Sequence, residues 1–371
     1  MFLKELEVCQ YRNYKQQKLT FSHNVTLFLG QNAQGKTNLI ESIYVLAMTK
    51  SHRSTKDKEW IHWDQEFSYI RGMVERKRGT LRLEIQLTGK GKKAKINGLE
   101  QKKLSDYVGA INVVMFAPED LGIVKGSPGQ RRKFLDMEIG QVSPMYLHLL
   151  SQYQKIMVQR NQWLKDAYKN KGHLEFLEVL NQQLAEMAVK LTLRRMQFVR
   201  KMEIWANQVH QHITQNKEQL TLKYHPSVEL ALDGSVEDAT ELFLKQLIQI
   251  RDKELARGTT LLGPHRDDLS FYINGANVQQ FGSQGQQRTT ALSLKLAEIQ
   301  LIYEEVGDYP ILLLDDVLSE LDATRQTHLL DAIKEKVQTF VTATGVEGIQ
   351  HETLDGATIY RIHSGEAMKE K

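Results

Sequence analysis

The chain predicts an α/β fold, a mixed sheet with helices interrupted by an inserted helical lobe, on three observations. First, the apolar run Val25–Leu29 enters a glycine-rich loop, after which Leu39, Ile40, Ile43, Leu46 and Ala47 recur at helical spacing. Second, residues 311–314 form a short unbroken apolar run, as expected of a parallel strand buried on both faces. Third, no proline and a single glycine, Gly172, occur between Met145 and His225, which makes that stretch helical.

Taken in order, residues 3–8 and 18–21 read as strands ahead of Val25–Leu29, and the helix starting at Thr37 has one apolar face to lay on a sheet. Leu81, Leu83, Ile85 and Leu87 alternate with Arg82, Glu84 and Gln86, the pattern of a half-buried strand. A turn over 89–93 and a second at Asn97-Gly98 make a pair of hairpins with lysines at their tips. Met145, Leu149, Tyr153, Ile156, Met157 and Leu164 keep helical spacing up to a break near Lys171-Gly172, and a second helix runs through Trp205. These two predict an antiparallel arm with too few heptads for a long coiled coil. Strands return at 269–273, followed by an Asn274-Gly275 turn, and at 339–344; a helix from about Gln286 to Val306 and the 311–314 run lie between. Residues 368–371 read as a frayed tail. The expected lobes are 1–118, 119–304 and 305–371, the last returning to the first.

At 371 residues the chain exceeds one ordinary domain, and 41% hydrophobic with 25% charged residues is the balance of a globular protein. A single cysteine, Cys9, excludes an internal disulfide and suits a reducing compartment. Glu5 and Glu7 interrupt any apolar signal core, and no run of about 18 uncharged apolar residues occurs, so the expectation is a cytoplasmic protein without a membrane span. The formal net charge of +4 is unevenly spread. From Arg71 to Lys103 eleven Lys or Arg face only Glu75, Glu84 and Glu100, so any electrostatic grip on nucleic acid is expected to be local rather than spread over the surface.

Gly30-Gln31-Asn32-Ala33-Gln34-Gly35-Lys36-Thr37 fits the phosphate-loop pattern G-x-x-x-x-G-K-S/T at every fixed position. The glycines let the backbone wrap so that successive N–H groups point at phosphate. Lys36 supplies a point charge for the β and γ phosphates of ATP, and the Thr37 hydroxyl can ligate Mg2+. Ile311-Leu312-Leu313-Leu314-Asp315-Asp316 carries the companion signal, a carboxylate at the end of a buried strand. Asp315 is assigned to the magnesium shell and Asp316 to polarising an attacking water. Paired acids after a strand also serve simply to solvate a loop; the upstream phosphate loop favours the catalytic reading.

Phe281-Gly282-Ser283-Gln284-Gly285-Gln286-Gln287-Arg288 resembles the L-S-G-G-Q signature of ABC-type ATPases, with Ser283, Gly285 and Gln286 at the matching places. The Ser283 hydroxyl, the Gly285 N–H and the helix N-terminus behind them can face a γ-phosphate. A glycine turn that merely caps a helix is the plainer alternative. In ABC-type proteins that phosphate belongs to a second subunit, so nucleotide joins two heads. Ser319-Glu320-Leu321-Asp322 resembles the D-loop S-x-L-D. Lys36 and Asp315 stand 279 residues apart, more chain than a compact phosphate-loop domain needs, so a lobe is inserted, as in the SMC and RecF branch of ABC-type heads.

Further segments are similar to the RecF family from end to end. They are Tyr11-Arg12-Asn13-Tyr14, Ser51-His52-Arg53-Ser54, Phe116-Ala117-Pro118-Glu119-Asp120-Leu121, Lys125-Gly126-Ser127-Pro128 with Arg131-Arg132, and Gly263-Pro264-His265-Arg266-Asp267-Asp268. The resemblance implies an ABC-type P-loop ATPase head with a short helical arm, ATP-dependent homodimerisation, and slow, DNA-stimulated hydrolysis acting as a switch. It implies single- and double-stranded DNA as partners, a preference for duplex next to gaps, work with RecR and RecO to bring RecA onto gapped DNA, and links to replication restart and the SOS response. It also places Arg12 and Asn13 near the nucleotide. No chemistry follows for 263–268; a strand-entry turn with His265 satisfied and Arg266 paired to a neighbouring acid is the plain reading.

Three departures from the general ABC pattern suit a slow switch rather than a motor. Asp316 stands where transporters usually carry Glu, and, one methylene shorter, it holds water less well. Thr344-Gly345 replaces a switch histidine, and no clear Q-loop glutamine accompanies 116–120. The ATP-hydrolysing subunit of an ABC transporter is the alternative function; it predicts no arm of this size, no basic hairpin, a signature leucine and a switch histidine, and this chain departs from all four. An SMC clamp needs a long coiled coil for which 371 residues leave no room. The twelve histidines include no H-E-x-x-H and one cysteine cannot build a zinc site, so ATP with Mg2+ is the only cofactor implied. DNA phosphates would meet the 71–103 window and basic faces such as Arg194, Arg195, Arg200 and Lys201.

Overall fold

The computed structural model describes the chain except residues 23, 55, 167–173, 233, 319–322, 334–335, 346–355 and 371. It divides into two compact units, one of Met1–Leu121, Val209–Lys217 and Ala291–Lys371, the other of Gly122–Gln208 and Glu218–Thr290. Beside the lobe bounds of 119 and 304 expected from punctuation, the second unit starts at 122 and ends at 290, and a short stretch of one long helix returns early to the first.

The chain opens with β1 (Phe2–Tyr11), β2 (Tyr14–Thr20), β3 (Val25–Leu29), helix α1 (Lys36–Met48), β4 (Phe67–Arg76), β5 (Gly79–Thr88), β6 (Gly91–Ile96), β7 (Leu99–Glu100) and β8 (Val113–Phe116). There follow α2 (Leu121–Lys125), α3 (Pro128–Val142), α4 (Pro144–Asp166), α5 (Leu174–Ile213), β9 (Leu220–His225), α6 (Val236–Gln249), α7 (Arg251–Arg257), β10 (Asp268–Ile273), β11 (Ala276–Asn277), α8 (Val278–Phe281) and α9 (Gln284–Val306). The close is β12 (Ile311–Asp315), α10 (Ala323–Ile333), β13 (Thr339–Ala343), β14 (Thr358–His363) and β15 (Glu366–Lys369).

In the first unit one sheet runs β15-β14-β3-β13-β12-β8, parallel from β14 to β8. Every residue of β3, β12 and β13 is buried, which is why these strands are mainly apolar, broken only by Thr26, Thr339, Thr342 and the closing Asp315: a parallel strand covered on both faces has no solvent side. The other sheet is an antiparallel meander, β2-β1-β4-β5-β6-β7, and β5 shows the expected alternation, with Leu83, Ile85 and Leu87 inward. Helix α1 touches β12 and β13 of one sheet and β4 and β5 of the other. It therefore departs from the one-faced helix of the sequence reading: eleven of its thirteen residues are buried, including Glu41 and Ser42.

Two further expectations change. The strand predicted at 18–21 begins at Tyr14, because Arg12, at φ 52°, and Asn13 turn the chain back onto β1 with Tyr11 opposite Tyr14. The tail is not frayed up to Lys369: β15 pairs with β14, Met368 opposite Arg361, and the Gln17 side chain donates to the Ala367 carbonyl and accepts its N–H. Four residues are too few to show a period, and their partners are supplied by the fold.

The second unit holds the helical arm. Tyr146 on α4 meets Arg195 on α5, and Arg160 on α4 meets Asn181 on α5; as one index rises the other falls, so the helices are antiparallel. The break expected at Lys171-Gly172 lies outside the described residues. Arg195 is not a DNA-facing residue: it is 2% exposed, ion-paired with Asp136 and bonded to the Pro264 carbonyl. The 263–268 segment follows its plain reading only in part. His265 is bonded to the Tyr153 hydroxyl and the Thr260 carbonyl, and burial pushes its ring down to about 4. Arg266 donates to the Thr260 carbonyl, while Asp268 is taken by Arg131.

An aromatic cluster fixes the parallel sheet on the flank of β13. Phe340 meets Phe21 edge-on at 4.8 Å and stacks on Phe28 at 6.0 Å, with Tyr360 against both phenylalanines. Phe340 is fully buried, so Phe340→Ala is expected to cost about 3–5 kcal/mol through lost transfer energy and the cavity left behind. Equilibrium urea unfolding measures this; a loss below about 1 kcal/mol would contradict the packing.

Candidate nucleotide site

The phosphate loop is built where β3 ends. The Gly30 N–H donates to the Ala343 carbonyl, tying the loop to β13, and a Cβ on Gly30 would lie 2.4 Å from the Ile362 carbonyl oxygen, so only glycine fits. Gln31, Asn32 and Ala33 are exposed at the crest, with Ala33 at φ 65°, and Gly35, at φ 117°, turns the chain into α1. Lys36 is 4% exposed and its ammonium donates to the Gly30 and Gln31 carbonyls at 2.8 and 3.0 Å. Those are interchangeable neutral acceptors inside the loop that a phosphate oxygen can replace.

The two carboxylates stand at the neighbouring strand end. Asp315 Oδ1 accepts the Thr37 hydroxyl at 3.0 Å, joining residues 278 apart in sequence. It also accepts the Thr342 hydroxyl at 2.8 Å, and Thr342 Oγ1 in turn accepts the Asp316 N–H at 2.9 Å. Burial raises the Asp315 carboxyl above its ordinary value, the two hydroxyls oppose this, and the Asp316 charge adds to it. Asp316 sits at φ 54°, an uncommon conformation for a residue with a side chain. Thr37 and Asp315 offer hard oxygen ligands side by side, and Mg2+ at phosphate sites needs only one or two carboxylates, so the set fits that ion without a larger cage. Among the described residues no three His, Cys, Asp or Glu converge.

The β1–β2 turn grips the loop. Asn13 donates to the Gln34 carbonyl, Tyr14 donates to the Gly35 carbonyl, and Asn38 donates to Asn13 Oδ1. From the β14–β15 turn, the Ser364 and Gly365 N–H groups hold the Gln34 side chain and carbonyl. Arg12 and Asn13, with Ala33, Asn38, Arg53 and Trp63, line a cavity of about 1110 Å³ beside the loop. Glu41 takes both sides of the Arg12 guanidinium; burial pushes its carboxyl up, but the Arg12 and Ser51 hydrogen bonds outweigh that and hold it below the ordinary range.

The signature residues belong to the second unit. Ser283 Oγ accepts the Gln286 N–H at 3.2 Å, and the Gln286 side chain accepts the Ser283 N–H and donates to Glu218, so both form a helix-capping box at the start of α9. Gly285 lies within the first turn of α9. The D-loop match at 319–322 lies outside the described residues. Sequence reasoning missed Thr342, Glu41 and the Ser364-Gly365 turn. The first sits opposite Asp315 in the β12–β13 register, which no local pattern reveals; the second hides in a helix read as amphipathic.

A parallel sheet with a phosphate loop at one strand end and a buried aspartate at another, in a chain that also carries a serine-led turn opening a long helix, defines the head of an ABC-type P-loop ATPase. Comparison with known proteins narrows this. The model of the RecF/RecN/SMC N terminal domain matches residues 2–367. The DNA replication and repair protein RecF of Geobacillus thermodenitrificans (strain NG80-2) is 56% identical over 366 residues, covering 98% of each chain, and that of Bacillus subtilis (strain 168) is 54% identical over 370 residues, covering 100% of each. A solved structure of the recombination mediator protein RecF with ATP in the RecFOR pathway superposes with TM-score 0.93 at 34% identity, covering 100% of this chain and 98% of that one. The Smc head domain of Pyrococcus furiosus, at 15% identity and TM-score 0.55 over 100% of this chain and 96% of its own, shares the fold. The chain belongs to the RecF family.

Thr342→Val keeps the shape of the side chain but strips a hydroxyl from Asp315 and leaves the Asp316 N–H without its acceptor. The expected cost is about 1–3 kcal/mol by chemical denaturation. An unchanged midpoint would show that Thr342 does not bear on the two acids.

Proposed function

We propose that the chain is a DNA-binding ATPase of DNA repair and replication that uses ATP to join two copies of its head. The contact between Thr37 and Asp315 carries this reading, because it sets a hydroxyl and a carboxylate where the oxygens around Mg2+ must come from. When bound there, Mg2+ would neutralise charge developing on the β and γ phosphates. Lys36 exchanges its loop carbonyls for phosphate oxygens. Asp316, held by Thr342 through its N–H, orients the attacking water; its short side chain supports slow hydrolysis, as a switch requires.

Ser283, Gly285 and Gln286 complete the γ-phosphate site of a second copy, making nucleotide the adhesive between heads. The solved ATP complex of a RecF relative supports the nucleotide assignment, and its place in the RecFOR pathway supports RecO and RecR as partners; RecA loading as the outcome rests on the resemblance of the motifs. Recognition of gapped duplex and the link to SOS rest on the resemblance of the motifs. No helix among the described residues is long and apolar enough to cross a membrane; a repair role and a single cysteine support a cytoplasmic location.

The DNA surface is narrower than the basic window suggested. Arg71 and Lys95 pair with Glu84, Arg76 with Asp308, Lys92 with Asp57 and Lys93 with Glu100, so these cations are largely neutralised where they stand. Lys90 stands at the β5–β6 tip and Lys77 with Arg78 at the β4–β5 tip, whereas Lys92, Lys93 and Lys95 lie along β6. Lys77, Arg78, Arg82, Lys90, Lys102 and Lys103 are exposed and make no ion pair among the described residues. They are the better candidates for phosphate.

Two measurements test the reading. Asp316→Asn with ATP is expected to run as a trapped dimer in size-exclusion chromatography with light scattering, and a persistent monomer overturns the shared-nucleotide model. Lys102→Glu with Lys103→Glu is expected to weaken duplex binding about tenfold and to reduce the salt slope by about 2. If wild-type hydrolysis is also indifferent to gapped duplex, the DNA assignment fails.

A further inference from the structure

We infer that Glu41 is the positioning residue of the nucleotide cavity, holding Arg12 directly and Arg53 through Ser51. The inference rests on nucleotide occupying the phosphate loop.

Glu41 lies four residues beyond Thr37 on α1, and its side chain is fully buried. Both of its oxygens are saturated. Oε2 accepts the Tyr11 hydroxyl and Arg12 Nε, each at 2.8 Å, while Oε1 accepts Arg12 Nη2 at 2.7 Å and the Ser51 hydroxyl. Such a bidentate fork fixes the plane of the guanidinium as well as its place. Arg12 Nη1 is further pinned on the Glu59 carbonyl at 2.9 Å. Three of the five guanidinium N–H groups are thus spent, two on buried Glu41 and one on the Glu59 carbonyl at the cavity lining, and two remain for a ligand.

Ser51 extends the hold. Because its proton goes to Glu41, its oxygen is left to accept, and it receives the N–H groups of Arg53 and Ser54 at 3.0 Å each. The turn that carries Arg53 is therefore set by the same carboxylate. Arg53 lines the cavity with Arg12 and reaches Asn38 on α1 at 3.4 Å. One buried acid thus ties the β1–β2 turn, the phosphate-loop helix and the 51–54 turn into a single body. A buried ion pair is weak evidence for stability, since apolar replacements are often neutral; orientation of two cations at a cavity is what this one provides.

The test is ATP affinity of the full chain by titration calorimetry, at a temperature where circular dichroism shows each variant folded. Glu41→Gln keeps the shape and removes the charge, and is expected to weaken ATP binding about tenfold, the worth of one charged hydrogen bond. Combined with Arg12→Ala it should add no more than about threefold to the loss from Arg12→Ala alone, since only the hold on Arg53 through Ser51 is left to lose. Ser51→Ala should cost about threefold. If Glu41→Gln binds ATP like wild type while Lys36→Ala does not, the inference fails and the ATPase reading stands, whatever the melting temperature does. Should Lys36→Ala also bind normally, both fall. If Glu41→Gln does not fold, Ser51→Ala decides, and unchanged affinity overturns the inference.

Discussion

A single oxygen of Asp315 organises the site. It lies at the end of a strand buried on both faces, where an ionised carboxylate is costly to keep, and it is retained because two hydroxyls aim at it. One hydroxyl comes from the first turn of α1 and the other from β13, so the acid records whether the phosphate loop, β12 and β13 are in register. Shifting β13 by one residue would turn Thr342 to the opposite face and take its hydroxyl from both Asp315 and the Asp316 N–H. The aromatic cluster around Phe340, two residues before Thr342 on the same strand, holds that register from the far end.

Enclosure of α1 explains why so much of the site is made of side chains that are not on the phosphate loop. A helix covered by two sheets must bury whatever its polar positions carry, and each buried group needs a partner. Glu41 finds four donors from Tyr11, Arg12 and Ser51, and the donors are themselves the walls of the cavity. Packing and site geometry are in this sense one problem: the same hydrogen bonds that make burial tolerable place the groups that face the ligand.

Sequence alone revealed the parts whose chemistry is local. The phosphate loop announces itself because glycine spacing, lysine and threonine are all dictated by one short turn, and β3 and β12 because double burial leaves them apolar apart from Thr26 and the closing Asp315. The arm was legible from the lack of proline and glycine. What could not be read depends on register or on distant partners. Thr342 matters only because it lies opposite Asp315, β15 exists only because β14 is there to pair with, and Arg195 looks like a surface cation until Asp136 and the Pro264 carbonyl are brought to it. The basic window misled for the same reason. Counting charge within one window leaves out acids from elsewhere in the chain, and Asp57 and Asp308 reach Lys92 and Arg76, while Glu84 serves both Arg71 and Lys95.

Ser283 shows how a structural reading and a chemical one can both hold for one atom. As the capping residue of α9 its hydroxyl uses a lone pair, accepting the Gln286 N–H. A hydroxyl that accepts still has its proton to give, so capping does not consume the group a phosphate would need; it restricts the torsion and points the proton outward from the helix end. The Gln286 side chain is different, since its oxygen serves the Ser283 N–H and its nitrogen serves Glu218. Of the three signature residues, serine is therefore ready as it stands, whereas the glutamine must first leave two partners. In the proposed shared site Ser283 and the helix N-terminus meet phosphate without rearrangement, and Gln286 joins them only by giving up the Ser283 N–H and Glu218.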